Sequence, residues 1–331
     1  MQDIMTIYLD VLKKLADGRF HSGQVLAADL GISRAAIWKH LRKIEAAGLA
    51  VDAVRGKGYR LQEPLDLLDA EAIKRQLSKQ AQKRLSGLEL HPVISSTNRY
   101  LLETYPEKQY ESGYVCIAES QTDGRGRRGR QWVSPFASNI YLSMVWRCAD
   151  GPAALAGLSL ALGVAIMRVL SDFGARDIGL KWPNDIIWQG KKLGGILVEI
   201  AGEANGPCVL VAGIGINVKM AYGAGTDIDQ PWVDLGHILG DKSPFRVELV
   251  CRTIEQMMDI LHDYPQRGFS GYQQEWNKWD VIRGRQVRLS LPNSEKTGVV
   301  KGVDTEGALL LDTGKSVERL TSGEISLRLQ S

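Results

Sequence analysis

Residues 121 to 132 read QTDGRGRRGRQW, which sets Arg125, Arg127, Arg128 and Arg130 between Gly124, Gly126 and Gly129. Guanidinium groups bind phosphate and carboxylate bidentately, and glycines let backbone approach a ligand closely, so the segment predicts a flexible, cationic loop that grips an anion. Its glycines also match G-x-G-x-x-G. That fingerprint needs a strand before it and a helix after it, whereas the strand-like run NIYLSMVW follows here and four arginines crowd the positions that approach a pyrophosphate. A dinucleotide loop is therefore rejected. No G-x-x-x-x-G-K-[ST] occurs either, which rules out a P-loop. The bland alternative is an exposed RNA-binding or merely solvated Arg-Gly stretch.

Two further segments carry related groups. In GLKWPNDIIWQGKKLGGILVEI, residues 179 to 200, Trp182 and Pro183 stiffen a turn and Asn184 and Asp185 end it with polar groups. Lys191 and Lys192 then precede a Gly-Gly strand where a ligand can lie against bare backbone. GIGIN, residues 213 to 217, is a strand end that delivers Asn217. A surface lysine or a turn asparagine is usually structural when taken alone. Three such segments in one domain argue for a site.

The elements that must position these groups follow from periodicity. From about residue 65 to 270, strand-like runs (Gly113 to Ala118, Ile140 to Trp146, Gly194 to Ile200, Cys208 to Ile214) alternate with helical stretches (Asp69 to Leu77, Pro152 to Leu170, Arg246 to His262). This predicts an α/β central domain.

Before it, Ile7, Val11, Leu12 and Leu15 recur at helical spacing and a second short helix fits Ser22 to Leu30. Gly31 makes a turn, and Ser33 caps a third helix with Ile37, Leu41, Ile44 and Leu49 inward and Arg34, Trp38, Lys39, Arg42 and Lys43 outward. VDAVRGKGYRL then forms a hairpin, so the N-terminus predicts a winged helix-turn-helix that reads DNA as a dimer on a palindromic site. Its candidate DNA contacts are Ser33, Arg34, Ala35, Trp38 and Lys39 on the third helix and Arg55 and Lys57 on the wing. A solvated basic face is the plain alternative.

From Val287 onward, short β runs are parted by Pro292-Asn293, Glu306-Gly307, Gly314 and Ser322-Gly323, which suggests a small SH3-like β-barrel. The expected organisation is multi-domain α+β, with domains at 1–64, 65–275 and 276–331.

Composition supports a folded chain. The 331 residues are 44% hydrophobic and 24% charged, and the formal charge is +3. Residues 1–63 hold ten Lys or Arg against seven acids, so the whole surplus sits in the predicted DNA reader. Cys116, Cys148, Cys208 and Cys251 form no CxxC pair and the five histidines are scattered, which fits a reducing cytoplasm and no structural zinc. The longest apolar stretch, Ala153 to Val169, contains Ser159 and Arg168 and falls short of the roughly 20 residues of a membrane span, so it reads as a buried helix. No export signal opens the chain, and no membrane association is expected.

The winged helix, SSTN (Ser95 to Asn98), Q-x-x-G-R-G-R-R-G-R-x-W, K-W-P-N-D, K-L-x-G-I-L-x-E (Lys192 to Glu199), G-I-G-I-N and a terminal G-E-I-S-L-R stand in that order. In this the chain resembles, over essentially its whole length, the bifunctional biotin–protein ligases that double as biotin operon repressors. The resemblance implies a central domain like class II aminoacyl-tRNA synthetases. It also implies that ATP and biotin give biotinyl-5′-adenylate, from which biotin passes to a lysine of the biotin carboxyl carrier protein.

By the same resemblance Ser96, Thr97, Asn98 and Gln121 line the biotin pocket, Arg125, Gly126 and Arg127 wrap the adenylate, and Lys192 holds the reacting carboxylate or phosphate. Trp132 stacks on adenine, Asn217 contacts the nucleotide, and Arg288 and Arg328 reach ATP from the C-terminal domain. The phosphate chemistry itself calls for Mg²⁺ to bridge the phosphates, with Asp185 a candidate ligand, and the resemblance together with the attached DNA reader implies that the adenylate acts as corepressor by promoting a homodimer on operator DNA. Ser95 stands where the family often has an acid and Ala137 where it often has glycine; neither is a named pocket position.

The chemistry fits the residues independently. A carboxylate approaching a triphosphate meets like-charge repulsion, so fixed cations matter more than an acid–base pair. The alternatives are a lipoate or octanoate ligase with the same cations and another acyl pocket, or a metabolite-sensing repressor without ligase activity.

Overall fold

The computed structural model describes residues 4–202, 206–220, 225, 228–243, 245–290, 294–321 and 326–329. The expected turns at Pro292-Asn293 and Ser322-Gly323, and Gly323, Glu324 and Ile325 of the terminal motif, lie outside these residues.

The N-terminal unit is built from α1 (Ile4–Leu15), α2 (Gly23–Asp29), α3 (Arg34–Ala46) and a hairpin of β1 (Val51–Val54) and β2 (Gly58–Leu61). Ser22 and Ser33 cap α2 and α3, their hydroxyls accepting from the backbone N–H of Gln24 and Ala36, and Gly31 turns between them at φ +63°. Val11, Leu12, Leu15, Ile37, Leu41 and Ile44 are buried together, each worth about 1.5–3 kcal/mol relative to exposure. Their cluster is completed by Phe136 and Ala137, from just beyond the Arg-Gly loop. Ala137 has φ +52°, the left-handed region that glycine occupies without strain, which explains the family's preference there.

The central unit adds α4 (Ala70–Gln76), α5 (Lys79–Arg84), β3 (Gly87–His91), α6 (Thr97–Lys108), β4 (Tyr114–Ala118), β5 (Asn139–Cys148), α7 (Leu158–Asp172), β6 (Ile178–Lys181), β7 (Asp185–Trp188), β8 (Lys191–Gly202), β9 (Cys208–Asn217), α8 (Leu235–Leu239), α9 (Arg246–Arg267) and α10 (Ser270–Trp279). One seven-stranded sheet runs β3-β4-β5-β9-β8-β7-β6. Only β3 and β4 pair in parallel, so the unit is α+β, where alternation of strand and helix suggested α/β. The reason lies in the connections. Trp182-Pro183-Asn184, with a cis Trp182–Pro183 peptide, turns β6 into β7, and Gln189-Gly190, both at positive φ, turn β7 into β8.

Period-two alternation then divides the sheet faces. Leu210, Ala212, Ile214 and Ile216 of β9 and Ile140, Leu142 and Met144 of β5 pack with α7 and α9 in the main core. The intervening Val209, Val211 and Val145 face Leu101 of α6. Continuing that second face along β9 gives Gly213, Gly215 and Asn217. Where valine ends and glycine begins, the face opens. Residues 152–172 are the one stretch among the described residues long and apolar enough to cross a membrane; here α7 is buried in the core.

The C-terminal sheet, in the order β13-β12-β11-β10-β14, consists of β10 (Gln286–Ser290), β11 (Glu295–Val303), β12 (Leu309–Asp312), β13 (Val317–Leu320) and β14 (Ser326–Leu329), all antiparallel. It docks on the central unit where Trp182 Nε1 donates to Gly307 O at 3.1 Å. Asp280 lies at the same junction, with Oδ1 accepting from Ile282 N and Oδ2 buried without a partner.

Burial pushes the Asp280 carboxyl up from 3.8 to about 6. A folded-state pKa raised above the unfolded one means that this group's contribution falls as pH climbs from about 4 to 6 and the carboxyl ionises. Above that range the cost is up to about 3 kcal/mol. Asp280→Asn keeps the acceptor for Ile282 and is therefore expected to raise the melting temperature by several degrees at pH 7.5, with the gain fading towards pH 4. Differential scanning fluorimetry at the two pH values checks it; an equal effect at both contradicts it.

Candidate functional site

The open face of the sheet forms the floor of a cavity of about 770 Å³, lined from β5, β8, β9, the Arg-Gly loop and the turn between β6 and β7. The loop folds back as a small hairpin: Gly126 N donates to Arg130 O, Trp132 N to Gly124 O, and Arg128 turns the tip at φ +59°. The Trp132 ring then lies on the sheet against Gly215. A Cβ at 215 would sit 2.7 Å from the ring's Cε2, so only glycine admits this arrangement.

One end of the cavity is a set of hydroxyls and amides. Ser96 caps α6, and Thr97 N and Gln121 Oε1 are 2.9 Å apart. Gln121 Nε2 donates to Ser134 Oγ. Thr97 Oγ1 is 2.7 Å from Ser143 Oγ, which donates to Asn98 Oδ1 at 2.5 Å. Asn98 Nδ2 donates to Glu199 Oε2 at 2.9 Å and to Leu197 O at 3.3 Å. Ser96, Thr97, Asn98 and Ser143 are all buried.

The other end is cationic. Lys192 Nζ is 2.6 Å from Asp185 Oδ1, with only 15% and 17% of the two side chains exposed, and 5.4 Å from the centre of the Trp132 ring. Burial lowers the pKa of the half-buried Arg127 from its ordinary value, opposed by Asp185 and reinforced by Arg128 and Arg130. Arg127 is thus the half-buried member of a group of guanidiniums, with Arg125, Arg128 and Arg130 exposed beside it, and like charges gathered in this way favour an incoming anion.

Alternation explains the assembly. Ser143 on β5, Gly213, Gly215 and Asn217 on β9, and Gly195, Leu197 and Glu199 on β8 share the open face, while α6 brings Thr97 and Asn98 over it.

The structure brings Ser96, Thr97, Asn98, Gln121, Arg125, Gly126, Arg127, Trp132, Asp185, Lys192 and Asn217 around this one cavity. Asn98 reaches it with its amide turned inward, and Asn217 Nδ2 donates to Val233 O at 3.1 Å. Arg288 lies outside the lining, exposed on β10 within 4.0 Å of Glu295, and in register with Arg328 on β14, whose side chain is outside the described part of the chain. Among the described residues no group of three or more His, Cys, Asp or Glu could hold a metal, and Asp185 is paired with Lys192. Sequence reasoning missed Ser143, Ser134 and the part played by Glu199. For Ser143 and Glu199, strand alternation in NIYLSMVW and in GGILVEI carried that signal, because these two fall on the register of the open face.

On the N-terminal unit Ser33, Arg34, Ala35, Trp38 and Lys39 lie exposed along one side of α3, with Arg55 and Lys57 exposed on the wing. Trp38 is 51% exposed, with the Arg42 guanidinium over its ring.

A cationic corner beside a set of buried hydroxyls and amides, on a chain that also carries a winged helix, suits a protein that takes an anionic small molecule and is joined to a DNA-binding module. Residues 90–217 match the biotin/lipoate A/B protein ligase family, 9–60 an HTH domain and 283–328 the biotin protein ligase C-terminal domain. The bifunctional ligase/repressor BirA of Salmonella typhimurium is 42% identical over 98% of this chain and 98% of its own, and that of Escherichia coli is equally similar. The Aquifex aeolicus biotin protein ligase, solved with biotin and ATP, superposes with a TM-score of 0.63 at 27% identity, covering 74% of this chain and all of that one. The chain belongs to the bifunctional biotin–protein ligase/repressor family, and it is a ligase with an attached DNA-binding repressor domain.

Proposed function

We propose that the chain joins biotin and ATP as biotinyl-5′-adenylate and passes biotin to a lysine of the biotin carboxyl carrier protein. The observation that carries this reading is that Lys192 and Arg127 share one cavity with the Ser96, Thr97 and Gln121 cluster. The polar cluster takes the ring ureido group, which has the donors and acceptors that a lipoyl dithiolane or an octanoyl chain lacks. Biotin's carboxylate oxygen attacks the α-phosphorus, and pyrophosphate leaves. Lys192, Arg125 and Arg127 offset the charge that this attack concentrates, with Gly126 admitting the backbone. The carrier amine then attacks the acyl carbon, loses its proton and expels AMP.

Trp132 and Asn217 are assigned to the nucleotide, and Arg288 and Arg328 approach it from the C-terminal sheet, read here as an SH3-like barrel on a core like class II aminoacyl-tRNA synthetases. The domains assigned are 1–64, 65–275 and 276–331. Mg²⁺ would supply charge neutralisation on the phosphates, and the half-buried Asp185 carboxylate, paired with Lys192, is the residue that would hold it. The four unpaired cysteines fit a reducing compartment such as the cytoplasm.

The adenylate is also assigned as corepressor, acting through a homodimer on operator DNA. Strand β8 supports this, since among the described residues β7 pairs with it only over Lys191–Gly195, which leaves residues 198–202 as an edge a second copy can extend.

With ATP, Mg²⁺ and biotin, the carrier domain is expected to gain one biotinyl group at a single lysine, and sedimentation should show dimers once the adenylate is added. An unmodified carrier domain overturns the ligase reading, and unchanged self-association overturns the corepressor reading. Lys39→Ala is expected to weaken binding to cognate and unrelated DNA alike and to flatten the salt dependence by about one unit of slope. Fluorescence anisotropy across a salt series checks it, and a loss confined to the cognate site contradicts it.

A further inference from the structure

The hydrogen-bond partners at the polar end of the cavity leave little freedom for the protons. Asn98 faces a carboxylate oxygen of Glu199 and the carbonyl of Leu197, both acceptors, so its Nδ2 must point there and both amide hydrogens are used. Its Oδ1 is thereby turned towards Ser143, 2.5 Å away, and Ser143 must spend its single hydrogen on it. Thr97 Oγ1, 2.7 Å from Ser143 Oγ, must then donate, or two oxygens would meet with no hydrogen between them. The alternative acceptor for Thr97, Gln121 Oε1, is more distant at 3.3 Å and already receives Thr97 N. Space enforces the arrangement too. A Cβ on Gly213 would lie 2.3 Å from Asn98 Oδ1, so glycine leaves the amide its only seat.

We infer that Glu199, which lies outside the lining of the main cavity, sets the polarity of the acyl pocket. Through Asn98 and Ser143 it commits the Thr97 hydroxyl hydrogen inward and leaves Thr97 Oγ1 as an obligate acceptor, a receptor for an N–H of the substrate head group. Glu199 is a positioning residue for specificity. This rests on the biotin reading, because a cyclic urea supplies the N–H that such an acceptor requires, and a dithiolane or alkyl chain supplies none. A buried acceptor facing a head group without N–H goes unsatisfied, so the relay also rejects those substrates.

Glu199→Gln keeps the size of the side chain and can offer an N–H in place of the charged acceptor, which leaves the longer 3.3 Å bond from Asn98 Nδ2 to Leu197 O to hold the amide against reversal of the chain of donors. The test is calorimetric titration of biotin into the full chain for wild type, Glu199→Gln, Thr97→Val and the double variant, with Ser143→Ala as an independent break in the relay. Glu199→Gln and Ser143→Ala are each expected to weaken biotin about tenfold to a hundredfold, with the ATP KM unchanged. Added to Thr97→Val, Glu199→Gln should cost nothing more, because its effect passes through that hydroxyl. A merely structural role would give additive losses in the double variant. Additivity, or a Glu199→Gln affinity within about twofold of wild type, overturns the relay while leaving the biotin reading intact. A wild-type chain that takes lipoate or octanoate in place of biotin overturns the reading itself, and the relay with it.

Discussion

Lys192→Met is expected to slow acyl-adenylate formation by about 10²–10³-fold, the usual effect of removing one preorganised charge stabiliser. The ammonium is 85% hidden from solvent and ion-paired at 2.6 Å, so on the function proposed above it is held where the carboxylate and the triphosphate would meet. Its removal does double damage. The Asp185 carboxylate is left alone in the same corner and repels both substrates, so Lys192→Met with Asp185→Asn should recover part of the loss. Biotin-dependent pyrophosphate release reads the first step, and carrier modification from supplied biotinyl-5′-adenylate reads the second. The first should fall far more than the second, since the second starts after the phosphates have met. A first-step rate within tenfold of wild type would show that Lys192 is not the charge that matters.

The second large effect is on stability. Arg246→Met is expected to cost about 3–5 kcal/mol, because it strands a buried carboxylate. Arg246 and Glu119 are 3% and 6% exposed and 2.7 Å apart, and the same guanidinium donates to Asn139 O and Asp66 O. Glu119 also accepts from Leu68 N at 2.6 Å, so this pair ties the segment leaving the winged helix to the central sheet. Differential scanning calorimetry should show a melting transition lower by several degrees, and Glu119→Gln in the same chain should restore part of it by removing the orphaned charge. A loss below about 1 kcal/mol would mean that water reaches the pair and that the linker is held by something else.

The winged helix was legible because each of its signals is local: a capping serine, a glycine turn, an apolar stripe and a basic face. The Arg-Gly hairpin, the KWPND turn and the GIGIN strand end were legible as separate cation and amide sources for the same reason. What joins them is not local. Strand direction depended on which turns close, so alternating helices and strands suggested α/β when short turns at Trp182-Pro183-Asn184 and Gln189-Gly190 build an antiparallel sheet. Ser143 and Glu199 look ordinary along the chain and gain meaning only when β5, β8 and α6 meet over the same face. The seating of Phe136 and Ala137 in the N-terminal core, and the clamp from Arg246 to Glu119, join residues from 75 to about 130 positions apart. No spacing rule reaches that far.

The most direct test of the catalytic assignment is mass spectrometry of the purified chain given ATP and Mg²⁺, with biotin, lipoate and octanoate in parallel. An acyl-adenylate formed from biotin alone is the expected result. An adenylate from lipoate or octanoate in its place, or none from any of the three, would contradict it.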